Sequence, residues 1–404
     1  MKSNLLILAH AFPPENISGA ARPYRFYRYL PEYGVSPVVI TASAQRDKQI
    51  NVHFVRDVPR DYPRQTLTWH IERLVRKLLL PGALGLTWSR HAALRAQKLV
   101  PAPERTVVFS TSPPLSTHLA AAQIKKKLGI PWIADFRDPL NPASSPAGRK
   151  TNIYSLLEAY IVRHADALIA NTDAMLKLWC DQYPDQRQKF HVIWNGFDPS
   201  DSVTPAAIPP RPYKHLVHLG ELYDGRHPAP ILSSIQRLVA NGGIAQNSLH
   251  LSLIGPSSDE AIPNIEILRQ LIDIGIVEYI PTLIPRDEAR CIACTADALL
   301  LLQPQSAVQV PAKLFEYIRV GRPILAYIKR NSPVEYILNN SGIPHQCIYP
   351  DDSQQDVDSK LLAFLTLSNN ATAHSQWFSE QFNARRQSQA LARIVESLIS
   401  VRQK

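Results

Sequence analysis

Two charged residues stand three positions apart in the stretch VPAKLFEYIRVGRPILA, which runs from Val310 to Ala326. Residues at this spacing share one face of a helix, so Lys313 and Glu316 point in the same direction. One interpretation is an exposed ion pair that contributes about 0.2–0.5 kcal/mol to stability. The other is a ligand site, in which helix amides and Lys313 bind a phosphate and Glu316 accepts hydrogen bonds from ribose hydroxyls.

The stretch around this pair is typical of a loop, a short helix, a turn and a strand. Pro311 suits the first turn of a helix, where its missing N–H costs no hydrogen bond. Gly321 is typical of a helix end, and Pro323 leads into the apolar run 324–326. The predicted helix has apolar residues at helical spacing, namely Leu314, Phe315, Tyr317 and Ile318. These elements would hold both charged side chains at the end of a strand.

Short apolar runs separated by helical patterns recur along the whole chain, as expected for parallel sheets covered by helices on both faces. The predicted strands are 5–9, 36–40, 107–110, 132–134 and 167–170 in a first series, and 216–219, 249–254, 277–280, 298–302 and 324–327 in a second. Between the two series, the proline-rich segment 199–212 has the composition of a linker. The predicted fold is therefore α/β, with two Rossmann-like, doubly wound domains of parallel sheet facing a cleft.

We place the first domain at residues 1–200 and the second at 201–374. The last segment, 375–404, contains a helical pattern from Trp377 to Val401 and is predicted to pack back on the first domain. Ligands of doubly wound sheets bind at the carboxyl ends of the strands. Gly19, which follows the first strand, either relieves crowding at a turn or lets a phosphate or sugar approach a helix N-terminus.

Composition limits the classes of protein to be considered. The chain has 404 residues, of which 45% are hydrophobic and 19% charged, and it contains no run of about 18 uncharged apolar residues that would span a bilayer. The formal net charge of +10 favours an anionic partner, such as nucleic acid, a membrane surface or a phosphorylated small molecule. Four cysteines fit a reducing cytoplasm, and we expect Cys291 and Cys294 to be buried residues instead of half a zinc site.

One segment, residues 64–98, combines basic side chains with bulky apolar ones. It contains seven Arg or Lys residues against the single acid Glu72, interleaved with leucines, Trp69 and Trp88. This composition favours an anionic membrane surface over nucleic acid, because tryptophan and leucine suit the lipid interface. The alternative is an ordinary core whose charges form the solvated face.

Several motifs together resemble the family-4 glycosyltransferases, which have the GT-B architecture. The resemblance covers nearly the whole chain and rests on the order and spacing of short segments at strand ends. No GxSxG, HExxH, Walker A or GxGxxG motif is present, and the DxD form at Asp356–Asp358 lies in a polar loop, so we expect no metal. The supporting segments are 12–15 with Gly19, 111–114 with His118, 135–139, 164–166 with 171–172, 195–198, 220–226 and 310–326.

The resemblance implies that the second domain binds a nucleotide-diphosphate sugar and the first binds the acceptor. Glu316 resembles the second glutamate of the family's E-x7-E motif, which holds the ribose hydroxyls. Donor-binding roles are implied for Arg226 and Lys313 at the diphosphate, and for the glycines Gly19 and Gly220. Asp135 stands where many members carry a histidine, so Asp135 and His118 are candidate catalytic residues, with a structural role as the open alternative for both.

The implied activity is that of a retaining, metal-independent hexosyltransferase of cell-envelope or exopolysaccharide synthesis. Its partners would be a nucleotide sugar and a saccharide or lipid-linked acceptor, with no cofactor and no nucleic acid, and it would work in the cytoplasm or on the inner face of the membrane. Val308 occupies the position of the motif's first glutamate. This departure keeps two alternatives open, a nucleotide-sugar epimerase of the same fold and a catalytically silent binding protein.

Overall fold

The computed structural model describes most of the chain. The described residues are 3–15, 17–44, 50–57, 67, 70–71, 74, 85–100, 102–140, 151–203, 205–223, 225–257 and 265–402. They fall into two compact units. The first unit contains Met1–Pro199 and Gln381–Lys404, and the second contains Ser200–Glu380.

The first unit is built on a parallel sheet of seven strands. They are β1 (Ser3–Leu8), β2 (Val35–Thr41), β3 (Val52–Phe54), β4 (Thr106–Ser112), β5 (Trp132–Phe136), β6 (Ala167–Ala170) and β7 (Phe190–Val192). Their order is β3-β2-β1-β4-β5-β6-β7, so the strand order reverses beside β1. In register, Leu6 pairs with Val38 on one side and with Val108 on the other. Both faces of this sheet are buried, which explains why strands such as β1 and β6 contain apolar runs without alternation.

The second unit repeats this plan with a parallel sheet of six strands. They are β8 (Lys214–Leu219), β9 (Leu249–Ile254), β10 (Val277–Ile280), β11 (Ala298–Gln303), β12 (Ile324–Ile328) and β13 (His345–Ile348). Their order is β10-β9-β8-β11-β12-β13. The order therefore reverses between β8 and β11, where doubly wound sheets open a crevice for ligands. The predicted fold class, α/β with two doubly wound parallel sheets, is confirmed.

Helices cover both sheets. In the first unit they are α1 (Ser18–Tyr29), α2 (Leu86–Leu99), α3 (Ser116–Leu128), α4 (Thr151–His164) and α5 (Asp173–Gln182). Those within the second unit are α6 (Ala229–Ala240), α7 (Ile265–Asp273), α8 (Arg286–Thr295), α9 (Lys313–Val320), α10 (Pro333–Ser341) and α11 (Gln354–Leu365). Two more close the chain, α12 (Gln376–Phe382) and α13 (Ala384–Arg402). Among the described helices, none is long and apolar enough to cross a membrane.

The predicted helix from Trp377 to Val401 is two helices. The helix breaks at Asn383 because this residue forms a parallel β-bridge with Phe197, and the backbone groups on either side of Asn383 bond to Phe197 instead of to the helix. Phe197 N donates to the Phe382 carbonyl at 2.9 Å, and Ala384 N donates to the Phe197 carbonyl at 3.0 Å. The α13 helix then buries Leu391, Val395 and Ile399 in the core of the first unit.

Other differences are small. The short strands β3, β7 and β13 lack the long apolar runs on which the sequence prediction relied. The helix of the opening stretch begins at Lys313, two residues after Pro311. Cys294 is buried as expected, but the expectation is wrong for Cys291, which is exposed.

Candidate active site

A cavity of about 160 Å³ lies at the carboxyl edge of the sheet in the second unit. It is formed by the residues that follow β8, β9 and β10, by α8 and α9, and by Val203 of the linker. The sequence predicted a ligand at this kind of edge. The lining residues are Val203, Leu219, Gly220, Ile254, Gly255, Thr282, Leu283, Ile284, Ala289, Arg290, Ala293, Lys313, Glu316, Tyr317 and Val320.

The α9 helix brings the two charged residues of the opening stretch to this cavity. Its apolar face is buried, and Gly321 ends it in the left-handed conformation with φ of 76°. Tyr317, on the buried side, accepts a hydrogen bond at its hydroxyl from Leu219 N over 3.2 Å, which ties the helix to the end of β8. Lys313 and Glu316 are only partly buried and contribute to the cavity wall.

Lys313 is held at the end of β8. Its Nζ donates to the Leu219 carbonyl at 2.7 Å. Burial and, secondarily, the positive charge of Arg226 lower the pKa of Lys313 to about 8. A bound anion would oppose both effects and favour the charged form.

Gly220 leaves the space that this lysine occupies. A Cβ at position 220 would lie 2.7 Å from Lys313 Nζ, and the φ of 119° is one that other residues rarely adopt. The Lys313 side chain can therefore occupy this position because residue 220 has no Cβ. The two predicted donor-binding residues lie side by side on the cavity wall.

Glu316 does not pair with Lys313, so the interpretation as an i,i+3 ion pair is wrong. Its Oε1 instead accepts two hydrogen bonds from Arg286, one from Nε at 3.1 Å and one from Nη2. The Glu316 and Arg286 side chains remain 39% and 41% exposed. Burial acts to lower the pKa of Arg286, but the charge and hydrogen bonds of Glu316, helped by Asp201, raise it above its usual range.

Sequence reasoning missed the arginines around Glu316. Arg290 Nη2 lies 3.4 Å from Asp201 Oδ2, and Arg286 Nη2 lies 3.9 Å from the same oxygen. Arg319 donates to the Asp201 carbonyl. Asp201 is separated from these arginines by more than eighty positions, so spacing could not reveal the group.

Arg226 lies near this site but does not line the cavity. Its N–H donates to the Tyr223 carbonyl at 2.8 Å, and its guanidinium stacks 4.4 Å from the centre of the Tyr223 ring. It also donates to the Tyr223 hydroxyl. Gln303, at the end of β11, is 1% exposed, and its Oε1 has no hydrogen-bond partner among the described residues.

The first unit treats its strand-end carboxylate differently. Asp135, at the end of β5, is fully buried and forms a bidentate ion pair with Arg22, with Nη2 to Oδ1 at 2.7 Å and Nε to Oδ2 at 3.0 Å. Thr111 Oγ1 donates to Oδ2 at 2.7 Å. Arg22 also donates to the carbonyls of Ile193 and Trp194, at 2.7 Å each. These bonds favour the structural alternative for Asp135.

His118 is also fully buried. Its Nδ1 lies 2.7 Å from Ser110 Oγ, and its ring packs 4.5 Å from the centre of Phe136. Burial, with a smaller effect of the positive charge on Arg137, lowers the pKa of His118 to about 3. A neutral imidazole enclosed in this way favours a structural role, and the catalytic role of His118 stays a prediction.

Gly19 accommodates another side chain of its own unit. A Cβ at position 19 would lie 2.9 Å from Nη1 of Arg137, whose Nε donates to the Ser112 carbonyl at 3.1 Å. The glycine therefore leaves room for this guanidinium at the start of α1. Its implied contact with the donor stays a prediction.

The acidic pair that resembles a DxD motif has structural partners. Asp356 forms a capping box with Ser353 at the start of α11. Asp358 pairs with Arg237 at 2.7 Å and accepts a hydrogen bond from Ser234 at 2.5 Å. Among the described residues, no three or more His, Cys, Asp or Glu side chains are grouped so that they could hold a metal ion.

About half of the basic segment 64–98 lies outside the described residues, including Trp69 and the basic residues 64, 73, 76 and 77. Of its described apolar side chains, Leu67, Ile71 and Leu74 are 74%, 54% and 57% exposed. Trp88, however, is fully buried and packs edge-on against His10, with ring centres 5.4 Å apart. The expectation that Trp88 faces a lipid interface is therefore wrong.

Solved structures with the same fold are glycosyltransferases and related sugar-phosphate proteins. HepE from Anabaena, solved with UDP and glucose, has a TM-score of 0.61 at 13% identity, over 98% of this chain and 100% of that one. A UDP-forming alpha,alpha-trehalose-phosphate synthase from Burkholderia xenovorans, solved with glucose-6-phosphate, gives 0.62 at 13% identity, over 98% and 100%. The N-terminal domain of trehalose-6-phosphate phosphatase from Candida albicans gives 0.67 at 13% identity, over 98% and 97%.

At these identities the likeness shows the fold. A search of curated protein sequences found no match. The family model described as Glycosyltransferase Family 4 matches residues 22–201, which begin within α1 and end at the linker. The resemblance drawn from the sequence motifs is thus confirmed: residues 22–201 match the Glycosyltransferase Family 4 model, and the chain has the GT-B fold of the solved glycosyltransferases.

Proposed function

We propose that the protein is a retaining, metal-independent hexosyltransferase that moves a sugar from a nucleotide-diphosphate donor to a saccharide acceptor, free or lipid-linked. The observation that carries this proposal is the cavity in the second unit, where Lys313 and Glu316 lie together at the carboxyl ends of β8 to β10. Solved proteins of the same fold bind UDP and UDP-glucose, which supports a uridine nucleotide as the first donor to test.

In the proposed reaction, the bond between the anomeric carbon and the diphosphate oxygen breaks, and the acceptor hydroxyl forms the new glycosidic bond. The hydroxyl proton leaves with the departing nucleoside diphosphate, on which negative charge develops. Lys313, held by the Leu219 carbonyl, and the neighbouring Arg226 would stabilise that charge. Fixed cations of this kind commonly contribute on the order of a hundredfold in rate.

Glu316 would accept hydrogen bonds from the ribose hydroxyls. Its Oε1 is occupied by Arg286, whereas Oε2 makes no hydrogen bond to any described residue. Because Glu316 lines the cavity, a carboxylate oxygen without a hydrogen bond is a suitable acceptor for a diol. The cavity therefore combines a cation for the phosphate with an acceptor for the sugar of a nucleotide.

The proposal extends to where the acceptor is found. Leu67, Ile71 and Leu74 are exposed at i, i+4 and i+7 in helical positions, within a sequence segment rich in arginine and lysine. This combination suits an anionic membrane on the cytoplasmic side, where lipid-linked acceptors of cell-envelope or exopolysaccharide synthesis would be found. Vesicle flotation with and without anionic lipid tests this extension, and equal flotation in the two would refute it.

Calorimetric titration with UDP and GDP tests the donor, and incubation of radiolabelled nucleotide sugar with a membrane extract then tests transfer. We expect micromolar to millimolar binding of one nucleotide and a labelled glycan or lipid product. Failure of both nucleotides to bind would refute the proposed function. Binding without a product would favour a catalytically silent nucleotide-binding protein, the alternative to which Val308 at the motif's first glutamate position points.

A further inference from the structure

Arg286 contacts Glu316 in a way that leaves half of the carboxylate free. Both its Nε, at 3.1 Å, and its Nη2 donate to the same oxygen, Oε1. A bidentate Arg–carboxylate pair usually uses both carboxylate oxygens, as Arg22 and Asp135 do in the first unit. Here the second oxygen is left for another donor.

The guanidinium of Arg286 also forms an ion pair with a second carboxylate, through the same Nη2. Asp201 Oδ2 lies 3.9 Å from Arg286 Nη2 and 3.4 Å from Arg290 Nη2. The backbone of Asp201 is fixed in turn, because its carbonyl accepts a hydrogen bond from Arg319 on α9. Arg286 thus pairs with both an acid of the linker and an acid of the cavity wall.

From this arrangement we infer that Arg286 is a positioning residue, which orients Glu316 so that Oε2 discriminates a ribose diol from a deoxyribose. Asp201 supports the orientation by holding Arg286. The inference rests on the proposed function, because it gives a role to a residue that acts through Glu316 at the nucleotide site. Arg286 itself need not touch the nucleotide.

The same pair contributes little to folding. Its side chains are 41% and 39% exposed, and exposed ion pairs contribute little to the free energy of unfolding. Loss of Arg286 should therefore leave the second unit folded while freeing the Glu316 side chain to rotate. A freely rotating carboxylate contacts the diol for only part of the time, so discrimination should fall.

The test compares two ligands in matched variants. Whichever of UDP and GDP binds wild type more tightly is titrated alongside its 2′-deoxy counterpart, into wild type, Arg286→Met, Arg286→Lys and Asp201→Asn. Arg330→Met serves as the control, because Arg330 is a partly exposed arginine of the same unit that forms ion pairs with Asp351 and Asp352 and does not line the cavity. Hydrogen bonds to charged groups contribute about 1.5–3 kcal/mol, so wild type should prefer the ribonucleotide by about 10- to 100-fold.

We expect Arg286→Met to reduce this preference to within about threefold while binding of the deoxynucleotide changes little. Arg286→Lys and Asp201→Asn should show intermediate preferences, and Arg330→Met should match wild type. If wild type discriminates and Arg286→Met discriminates equally, or binds both ligands equally more weakly, the positioning role is refuted and the proposed function stands. If wild type binds neither nucleotide, the proposed function fails and this inference fails with it. If wild type binds the ribonucleotide and the deoxynucleotide equally, the inference is refuted and nucleotide binding itself stands.

Discussion

Each unit places a carboxylate at the carboxyl edge of its sheet, Asp135 on a strand and Glu316 on helix α9, and the two carboxylates are bonded differently. In the first unit, Asp135 is enclosed by Arg22 and Thr111, and both carboxylate oxygens are occupied. In the second, Glu316 shares only one oxygen with Arg286 and lines a cavity. A charged residue at the sheet edge is therefore a stronger candidate for ligand binding when some of its hydrogen-bonding atoms have no partner within its own unit.

The largest effect expected from this comparison is on the stability of the first unit. Asp135→Asn would leave the buried guanidinium of Arg22 without its charge partner, and breaking a buried pair costs about 3–5 kcal/mol. Urea unfolding followed by circular dichroism measures the loss. The matched control is Asp185→Asn, because Asp185 is exposed. If Asp135→Asn lowers the free energy of unfolding by less than about 1 kcal/mol, the Arg22–Asp135 pair does not stabilise the first unit as we describe.

A second effect concerns the stability of the protein at lower pH. Among the described residues, each unit has one fully buried histidine, His118 on α3 and His218 on β8. Burial lowers the pKa of both His118 and His218 to about 3, with the charge of Arg137 a smaller cause for His118 and that of Lys313 for His218. Below pH 6.5 the unfolded chain binds protons that the folded chain does not, so stability falls as the pH falls. At pH 5.5 the loss is about 1.4 kcal/mol for each histidine.

Urea midpoints at pH 7.5 and 5.5 check this expectation for both units. Because carboxylates change charge mainly at lower pH, the decrease over this interval reports histidines. A midpoint that does not change between these pH values would show that the two imidazoles are protonated in the folded protein.

The smallest effects distinguish the two predicted donor glycines. Gly220→Ala places a Cβ 2.7 Å from Lys313 Nζ at a positive φ, so it should cost about 1 kcal/mol and weaken nucleotide binding several-fold. Gly19→Ala lies within α1, where alanine is favoured, and the atom it meets is the end of the flexible Arg137 side chain. We expect Gly19→Ala to change stability by less than about 0.5 kcal/mol. Equal effects of the two substitutions on nucleotide affinity would contradict this distinction.

Local patterns were sufficient to predict the fold and the sheet edge at which Lys313 and Glu316 line a cavity. Apolar runs marked most of the strands, and Gly321 marked the end of α9. These features depend on residues close together in sequence, and the rule for strand ends then placed Lys313 and Glu316 at a ligand edge.

Long-range partners could not be predicted in the same way. Arg22 is 113 positions from Asp135, and Arg286 is 30 positions from Glu316. Whether a carboxylate is saturated or open depends on such partners, which no periodicity reveals. For this reason the sequence named both Asp135 and Glu316 as site candidates, whereas the structure shows that, among the described residues, Asp135 has both carboxylate oxygens bonded and Glu316 only one.

One measurement tests the central claim most directly, namely that the nucleotide binds at the Glu316 edge and not at the Asp135 edge. The better-binding nucleotide is titrated into wild type, Glu316→Ala and Asp135→Asn, each first shown to be folded by circular dichroism. We expect Glu316→Ala to lose at least about tenfold in affinity, as for a hydrogen bond to a charged group, and Asp135→Asn to bind as wild type does. Unchanged affinity in Glu316→Ala together with loss of binding in folded Asp135→Asn would contradict the claim.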